Sequence, residues 1–560
     1  MESRRFVQDP PYAKLLPYCS FSIFPLSLAG GPSLDPPSSE TPHTRQTALK
    51  KGKNVPAQGA SSASHRHLQA LTLYGTGESY RRATTINTLP DDVLLEIFDS
   101  YRKILVWYEN GWPWHLLVHV CQRWRQVIFS SPHRLNLQLL CTIGTPVRKN
   151  LGIWPPFPVL VNYRPNFVTH PGFTPNDEDN AVAALEHHNR VCLVKLRLTS
   201  PQLGRMVTVM QEPYPVLRYL SISLNGVDAP ALPTEFLGGC APCLQEVNLF
   251  GIAYPALSSL LLSASHLVTL SLRYIPPTGF ISPETLVAGL SALPRLKHFT
   301  LDFGSITPSP DRTPPPLAAR IDLPSLTSFE FRGTGEYLEN LVVRIDSPQL
   351  DWIWITYLDR PDHFQIYQLP KFISRSVGRH LASFKNANVV LYKDRPLTAF
   401  DMIRPPYREF TECEFSRNPG MRLGVSSTSS FRLSHLAHVL SQFSAALSNV
   451  VHLKLVIRPV PRPGLDSTSH DGWLSYDTWT GNTEWQPLLR QFIAVETLCV
   501  TRDLAERIAS ALEYSVSEET EAADALPSLR LICLAGQPAS SIEKFITARQ
   551  LSGRPVSVIY

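Results

Sequence analysis

An apolar triplet at positions 1, 4 and 6 of a short extended segment recurs through the middle of the chain, and no other feature limits the fold as much. It reads Leu193/Leu196/Leu198, Leu217/Leu220/Ile222, Leu244/Val247/Leu249, Leu267/Leu270/Leu272, Leu296/Phe299/Leu301, Leu326/Phe329/Phe331 and Leu350/Ile353/Ile355. First positions are 24, 27, 23, 29, 30 and 24 residues apart. Pro215, Pro242, Pro294, Pro324 and Pro348 each stand two residues ahead of a first position. Leucines alternate in any half-buried strand, but a breaker held in register marks the same corner of a repeated unit. Each unit offers one strand and a return segment, so neighbours must stack to bury what one unit cannot.

This pattern resembles an irregular leucine-rich-repeat array, which implies an α/β solenoid with a parallel sheet. The return segments suit short helices. Ser282 is placed to cap one, with Pro283 at its first position and Leu286, Leu290 and Leu293 on one face. The asparagine or cysteine of the regular repeat is met only by Asn225; Pro201, Ile252, Ile275 and Gly304 stand at the equivalent places. Further on, Leu381/Phe384/Asn386 reads as a unit and Thr398 to Thr428 as an insertion. A helix is expected at Ser434 to Leu447, striped by Leu436, Leu440, Phe443 and Leu447. Val450/Leu453/Leu455, Val495/Leu498/Val500 and Leu529/Ile532/Leu534 continue the series, with helices at Leu504 to Leu512 and Ile542 to Ala548. Residues 459–486 read as a long loop.

Ahead of the array, Leu89-Pro90 reads as an extended dipeptide before a helix that Asp91 or Asp92 can cap. Val93, Leu94, Ile97 and Phe98 form one stripe over two turns. A second helix is expected from about Trp114 to Ile128, with Leu116, Leu117, Val120, Cys121, Trp124, Val127 and Ile128 on one face, stopped by Ser131-Pro132. Two short amphipathic helices bury too little on each other alone and need a partner or the rest of the chain.

Leu89-Pro-x-Asp-Val-Leu-x-Glu-Ile-Phe98, followed by Val120-Cys-x-x-Trp124, resembles an F-box of the fungal type. The segment from Ser100 to Pro113 makes the spacing between the helices longer than in compact members. The resemblance implies docking on a Skp-type adaptor of an SCF-type cullin–RING ubiquitin ligase. Leu89 and Pro90 would set the approach, Val93, Leu94, Ile97 and Phe98 would fill the adaptor's groove, and Leu116, Val120, Cys121 and Trp124 would complete the pair.

The expected organisation is a disordered segment over 1–80, a small all-α F-box-like domain over 86–131, and a linking region over 132–189. The repeat array follows over 190–536, and a C-terminal helix or cap over 537–560. Fifty prolines against 28 glycines favour short connections, and a hydrophobic content of 43% allows a sizeable core. Net charge is only +5 over 560 residues, which gives nucleic-acid binding no support. Nine scattered cysteines are no disulfide framework, and no Asn-x-Ser/Thr acceptor is present, so a cytoplasmic or nuclear compartment is expected. Leu15 to Leu34 is uncharged but broken by Pro17, Pro25 and Gly30-Gly31-Pro32, unlike a signal peptide. Val247 to Leu272 lacks charge but contains repeat strands, so a buried strand–return–strand is expected there, not a membrane span.

Cys240-Ala-Pro-Cys243 has no second pair at zinc spacing, and its proline is the recurring corner of the repeat. His187-His188 and His65-x-His67 lack ligand partners nearby. Phosphate-loop, serine-hydrolase and zincin motifs are absent, so no catalytic residue, metal or cofactor is proposed from the sequence. Trp473, Trp479 and Trp485 suit either an aromatic partner patch or loop packing. The expected function is a non-catalytic substrate-recognition adapter whose array holds a protein substrate. The alternative is a repeat scaffold without a ligase role, its F-box-like helices serving as a cap.

Overall fold

The computed structural model describes residues 86–105, 117–164, 173–224, 231–254, 257–304, 320–358, 366–381, 385–392, 397–403, 420–426, 433–458, 485–517, 525–534 and 540–559. The expected disorder of residues 1–80, Asn225, Leu116, His65, His67, Trp473 and Trp479 lie outside them. Described residues up to Ser131 belong to one compact unit, and those from Pro132 onward to another.

The first unit is a helix pair. Helix α1 spans Asp91–Leu105, its Leu94 N–H donating to the Pro90 carbonyl. The spacing predicts one continuous second helix from 114, but α2 spans Gln122–Ser130. Cys121 interrupts it, because its backbone is extended (φ −157°, ψ 169°) and its Sγ accepts the Trp124 N–H at 3.4 Å as an N-cap. Val120 therefore lies outside the helical face assigned to it and is 59% exposed.

Among the described residues, the second unit is built on a 16-stranded sheet. Its strands begin with β1 (Leu139–Thr142), β2 (Val159–Tyr163), β3 (Val191–Leu198), β4 (Tyr219–Leu224), β5 (Glu246–Phe250), β6 (Thr269–Ile275) and β7 (His298–Phe303). They stack in sequence order with parallel pairing. β9 (Ser328–Gly333) and β11 (Trp352–Tyr357) extend the same order. A separate two-stranded pair joins β8 (Ile321–Asp322) to β10 (Ile345–Asp346).

From Leu217 to Ile355 the triplets stand opposite one another as the spacing predicts. Leu220, Val247, Leu270, Phe299, Phe329 and Ile353 make one continuous row across the sheet. Every triplet side chain in this stretch is at most 3% exposed. Phe299 and Phe329 stack at 5.6 Å between neighbouring strands, so the row is a packed column. The recurring prolines occupy the second position of a β-turn in each unit. The first-position N–H of Leu217, Leu244, Leu296, Leu326 and Leu350 donates to the carbonyl just before the proline, at 3.1–3.3 Å. Proline fits there because its fixed φ matches the turn and its missing N–H is not needed. Leu529 N–H makes the same bond to Leu526 across Pro527, a sixth instance of this corner.

The return segments match their patterns. Pro283–Leu290 is a helix capped by Ser282, whose hydroxyl accepts the Thr285 N–H at 3.2 Å, and Leu286, Leu290 and Leu293 are buried. Glu339, in the return helix Gly335–Val342, caps its neighbour Gln368–Leu381. Its carboxylate accepts the N–H groups of Tyr367, Gln368 and Leu369 at 2.9, 2.5 and 3.0 Å. The uncharged stretch Val247 to Leu272 is strand, helix Leu257–Ser263 and strand, and no described helix is long and apolar enough to cross a membrane.

Several readings are corrected. The first unit is Val191/Val194/Leu196, two residues before the predicted register, since Val194 faces Leu220 and Leu196 faces Ile222. A two-residue slip keeps every side chain on its face, so alternation alone could not exclude it. Residues 132–189 are not a linker, because β1 and β2 belong to the sheet. Residues 537–560 supply its last strand, β18 (Ser557–Ile559), after the helix Ser540–Leu551.

The largest departure lies between β11 and β15 (His452–Arg458). The unit read as Leu381/Phe384/Asn386 is displaced by three residues: in β12 (Asn386–Tyr392), Ala387 and Val389 face Leu453 and Leu455. The stretch read as an insertion enters the sheet itself, as β13 (Leu397–Ile403) and β14 (Gly420–Ser426). β13 is antiparallel to both neighbours, and the spatial order is β11-β14-β13-β12-β15. β16 (Thr497–Val500) and β17 (Leu531–Leu534) then resume the predicted triplets. The helix expected over 434–447 divides at Phe443 into Leu433–Ser441 and Ser444–Leu447, with its stripe buried. The predicted loop to residue 486 ends earlier: fully buried Trp485 opens the helix Trp485–Leu489.

Candidate interaction surfaces

On α1 the apolar residues cover a wide arc with two edges. Leu94, Leu95 and Phe98 are at most 5% exposed, whereas Val93 and Ile97 are 42% and 40% exposed. Successive residues turn about 100° around a helix, so the 93/97 pair flanks the 94/98 pair without sharing its direction. Phe98 meets Trp124 of α2 edge-to-face, with centroids 4.8 Å apart. Arg123 ties the start of α2 to the start of α1: it donates to the Leu89 carbonyl at 2.5 Å and to Asp91 Oδ1 at 2.7 Å. Leu89 is half-buried, Pro90 is exposed and Cys121 is half-buried in its capping role.

The ten residues singled out from the sequence therefore divide. Leu94, Phe98 and Trp124 are interior; Pro90, Val93, Ile97 and Val120 are outward; Leu89 and Cys121 hold the geometry of the helix starts; Leu116 is outside the described residues. The single stripe Val93/Leu94/Ile97/Phe98 is corrected to two adjacent stripes. Leu95 was missed, although its place one residue after Leu94 is what widens the arc.

The second surface is the open face of the sheet, where residues alternating with the buried triplets lie. Its most developed patch spans β5, β6, β7 and β9. Between β6 and β7 the register slips, so that Arg273 and Tyr274 together oppose Asp302. Tyr274 takes φ +54°, the left-handed region that side chains other than glycine seldom adopt. Such a bulge re-aims a side chain. Tyr274 is 43% exposed, with Phe250 tilted against it at 4.7 Å and the Arg332 guanidinium over its ring at 5.5 Å. Arg273 donates to Glu330 Oε2 at 2.8 Å and to Ser271 Oγ at 3.2 Å. Thr300 Oγ1 donates to the same Glu330 oxygen at 3.3 Å, and Arg332 lies 3.8 Å from Asp302.

Burial pushes the Asp302 carboxyl up to about 6, opposed chiefly by Arg332 and reinforced by Glu330. A second aromatic patch follows on β11 and β14. The Arg422 guanidinium stacks over Trp354 at 4.7 Å, and Trp354 Nε1 donates to Thr356 Oγ1. None of these face residues was singled out from the sequence. Their only signal is position within the triplet, and that becomes a surface once the register is known.

Cys240 and Cys243 are both exposed free thiols on a turn, and among the described residues no group of His, Cys, Asp or Glu has the makings of a metal site. His188 Nδ1 is 2.9 Å from the Pro213 carbonyl, and burial lowers the pKa of His187. Cys499 and Cys533 are direct partners across β16 and β17; burial holds the Cys499 thiol up at about 11, hence protonated.

No family model matches the chain, and no curated protein matches it. Among solved structures, it is similar to the crystal structure of the leucine-rich repeat-containing protein LegL7 from Legionella pneumophila. The match has 13% identity, covers 75% of this chain and 99% of that one, and has a TM-score of 0.26. A likeness that loose carries no weight. Leucine-rich-repeat character rests here on the triplet ladder and its proline turns.

Proposed function

We propose that the chain is a protein-interaction adapter of the SCF type. The open face of the sheet holds a protein partner, and the helix pair docks on a Skp-type adaptor of a cullin–RING ubiquitin ligase. In this reading the chain performs no chemistry of its own and brings a bound protein to a separate ubiquitin-transferring enzyme.

One observation carries the docking half. The helix pair has its own interior contact, Phe98 on Trp124, yet leaves Val93 and Ile97 outward as neighbours one turn apart. A surface pair of this kind suits a shallow apolar groove, where a few anchors supply most of the affinity. The outward pair also decides how the reading is tested, because substituting buried Leu94 would disturb folding and docking together.

The test is co-expression of the full chain with a Skp-type adaptor, comparing wild type with Val93→Asp combined with Ile97→Asp. The expected result is a complex that co-purifies with wild type and is lost in the double variant, whose helix content and melting are unchanged. Folded wild type that ignores the adaptor would overturn the ligase role and leave the repeat scaffold, with the helix pair as its cap.

A further inference from the structure

The bulge on β6 sets two aromatic rings and two guanidinium groups at the surface, with their counter-charges beneath. The side chains of Arg273 and Arg332 are 43% and 31% exposed, against 24% for Glu330 and 10% for Asp302. Phe250 and Tyr274 are 40% and 43% exposed. A bound molecule would meet cationic forks and ring edges first. The carboxylates underneath fix the forks in place, which lowers the ordering cost of binding. The left-handed backbone at Tyr274 is a local cost.

The row of residues leading up to the patch has the same sign. The row that runs through this patch at the carboxyl ends of the strands reads Arg164, Arg197, Ser223, Phe250 and Arg273, with no carboxylate before Asp302. Arg164 follows directly on the last paired residue of β2, and its guanidinium reaches Ser221 on β4 at 3.2 Å, one row further in. An extended segment crossing the strands here would encounter arginine repeatedly, on both sides of an apolar step.

We propose that this patch receives an acidic segment of the bound protein, placing an aspartate or glutamate carboxylate on Arg273 and Arg332 and an apolar side chain on Phe250 and Tyr274. Arginine is suited to this because its planar fork meets a carboxylate with two parallel donors while its face lies on an aromatic ring. The inference rests on the reading that the sheet face binds a protein, and it names what that protein must present.

The test is a selection of randomised short peptides displayed on phage against the immobilised full chain, with the Arg273→Ala/Arg332→Ala variant in parallel. The wild-type pool is expected to become rich in Asp or Glu beside aromatic or aliphatic residues. A synthetic peptide of that consensus is expected to bind the double variant at least about tenfold more weakly, and to weaken with added salt. Phe250→Ala is expected to lower affinity and keep the acidic preference. If melting shows the double variant unfolded, Arg273→Gln alone makes the comparison, since it leaves Asp302 its partner Arg332. A pool rich in Lys or Arg, no enrichment, or equal binding by a folded variant would each overturn the proposal. The selection involves no adaptor, so its failure leaves helix-pair docking standing, and failed adaptor capture leaves the peptide result standing.

Discussion

Phe98 and Trp124 touch edge-to-face at 4.8 Å, and this contact is an interior joint of the helix pair rather than a docking surface. Phe98→Ala is accordingly expected to destabilise the pair by about 3–5 kcal/mol, as loss of a buried aromatic does. Faster limited proteolysis around residues 91–130 would register it. Val93→Asp with Ile97→Asp is expected to leave proteolysis unchanged and remove only adaptor capture. If both variants lose helical structure alike, the assignment of Val93 and Ile97 as outward anchors is wrong.

Within the sheet, position in the triplet sets cost. Leu270 is fully buried in the central row and Leu262 is 65% exposed on the return helix. Leu270→Ala is expected to cost about 2–5 kcal/mol in denaturant unfolding, and Leu262→Ala less than about 0.5 kcal/mol. Equal midpoints for the two would contradict the ladder.

Glu339 caps a helix that begins 29 residues later. Removing its carboxylate strands three amide donors at the start of Gln368–Leu381, so Glu339→Ala is expected to cost about 1–3 kcal/mol. Amide exchange at 367–369 should accelerate before exchange elsewhere does. Unchanged exchange at those amides would show the cap to be dispensable.

Asp302 makes stability depend on pH in an unusual direction for a carboxylate. Arg332 and Glu330 face it from β9, and Arg273 with the Tyr274 N–H from β6. Its folded value near 6 lies above the ordinary 3.8, so between those values the native state binds more protons than the unfolded state. The contribution is therefore present in full below about pH 4 and lost as pH rises to about 6, by up to about 3 kcal/mol. Asp302→Asn should flatten that slope, read from unfolding midpoints across pH 4 to 7. Protonating Asp302 also removes a negative charge under Arg332, so an acidic peptide should bind more tightly as pH falls through about 6. Tighter binding at higher pH would favour a cationic ligand instead.

The strand ladder was legible because two signals agreed: apolar period and a proline at a fixed offset. Both misread units lack the proline. Val191/Val194/Leu196 has no proline at the corner, so the more leucine-rich register two residues on was preferred. Around Leu381 no proline anchors the register, and Ala387 is too small to announce itself as a triplet position. At the helix pair, periodicity located the apolar residues on α1 but gave one stripe where packing makes two. Cys121 was read as a face residue because a sulfur cap leaves no periodic trace. The patch at Phe250, Tyr274, Asp302 and Arg332 was illegible for another reason. Its members are scattered along the chain and become neighbours only through strand stacking, and the bulge between β6 and β7 obeys no period.

The segment β12-β13-β14 runs backwards through the sheet, yet β14 is parallel to β11 and β12 is parallel to β15. That outcome is a matter of parity. Each antiparallel step reverses direction, so an interpolated meander preserves the sense of both flanks only when its strand number is odd. Three strands satisfy the condition; two or four would leave one flank pointing the wrong way. A shortened version of this protein therefore keeps the direction of both flanks with three strands here, with one, or with none. Excision from the end of the helix Gln368–Leu381 to the start of Leu433–Ser441 would bring β11 and β15 together in the direction every other unit already has.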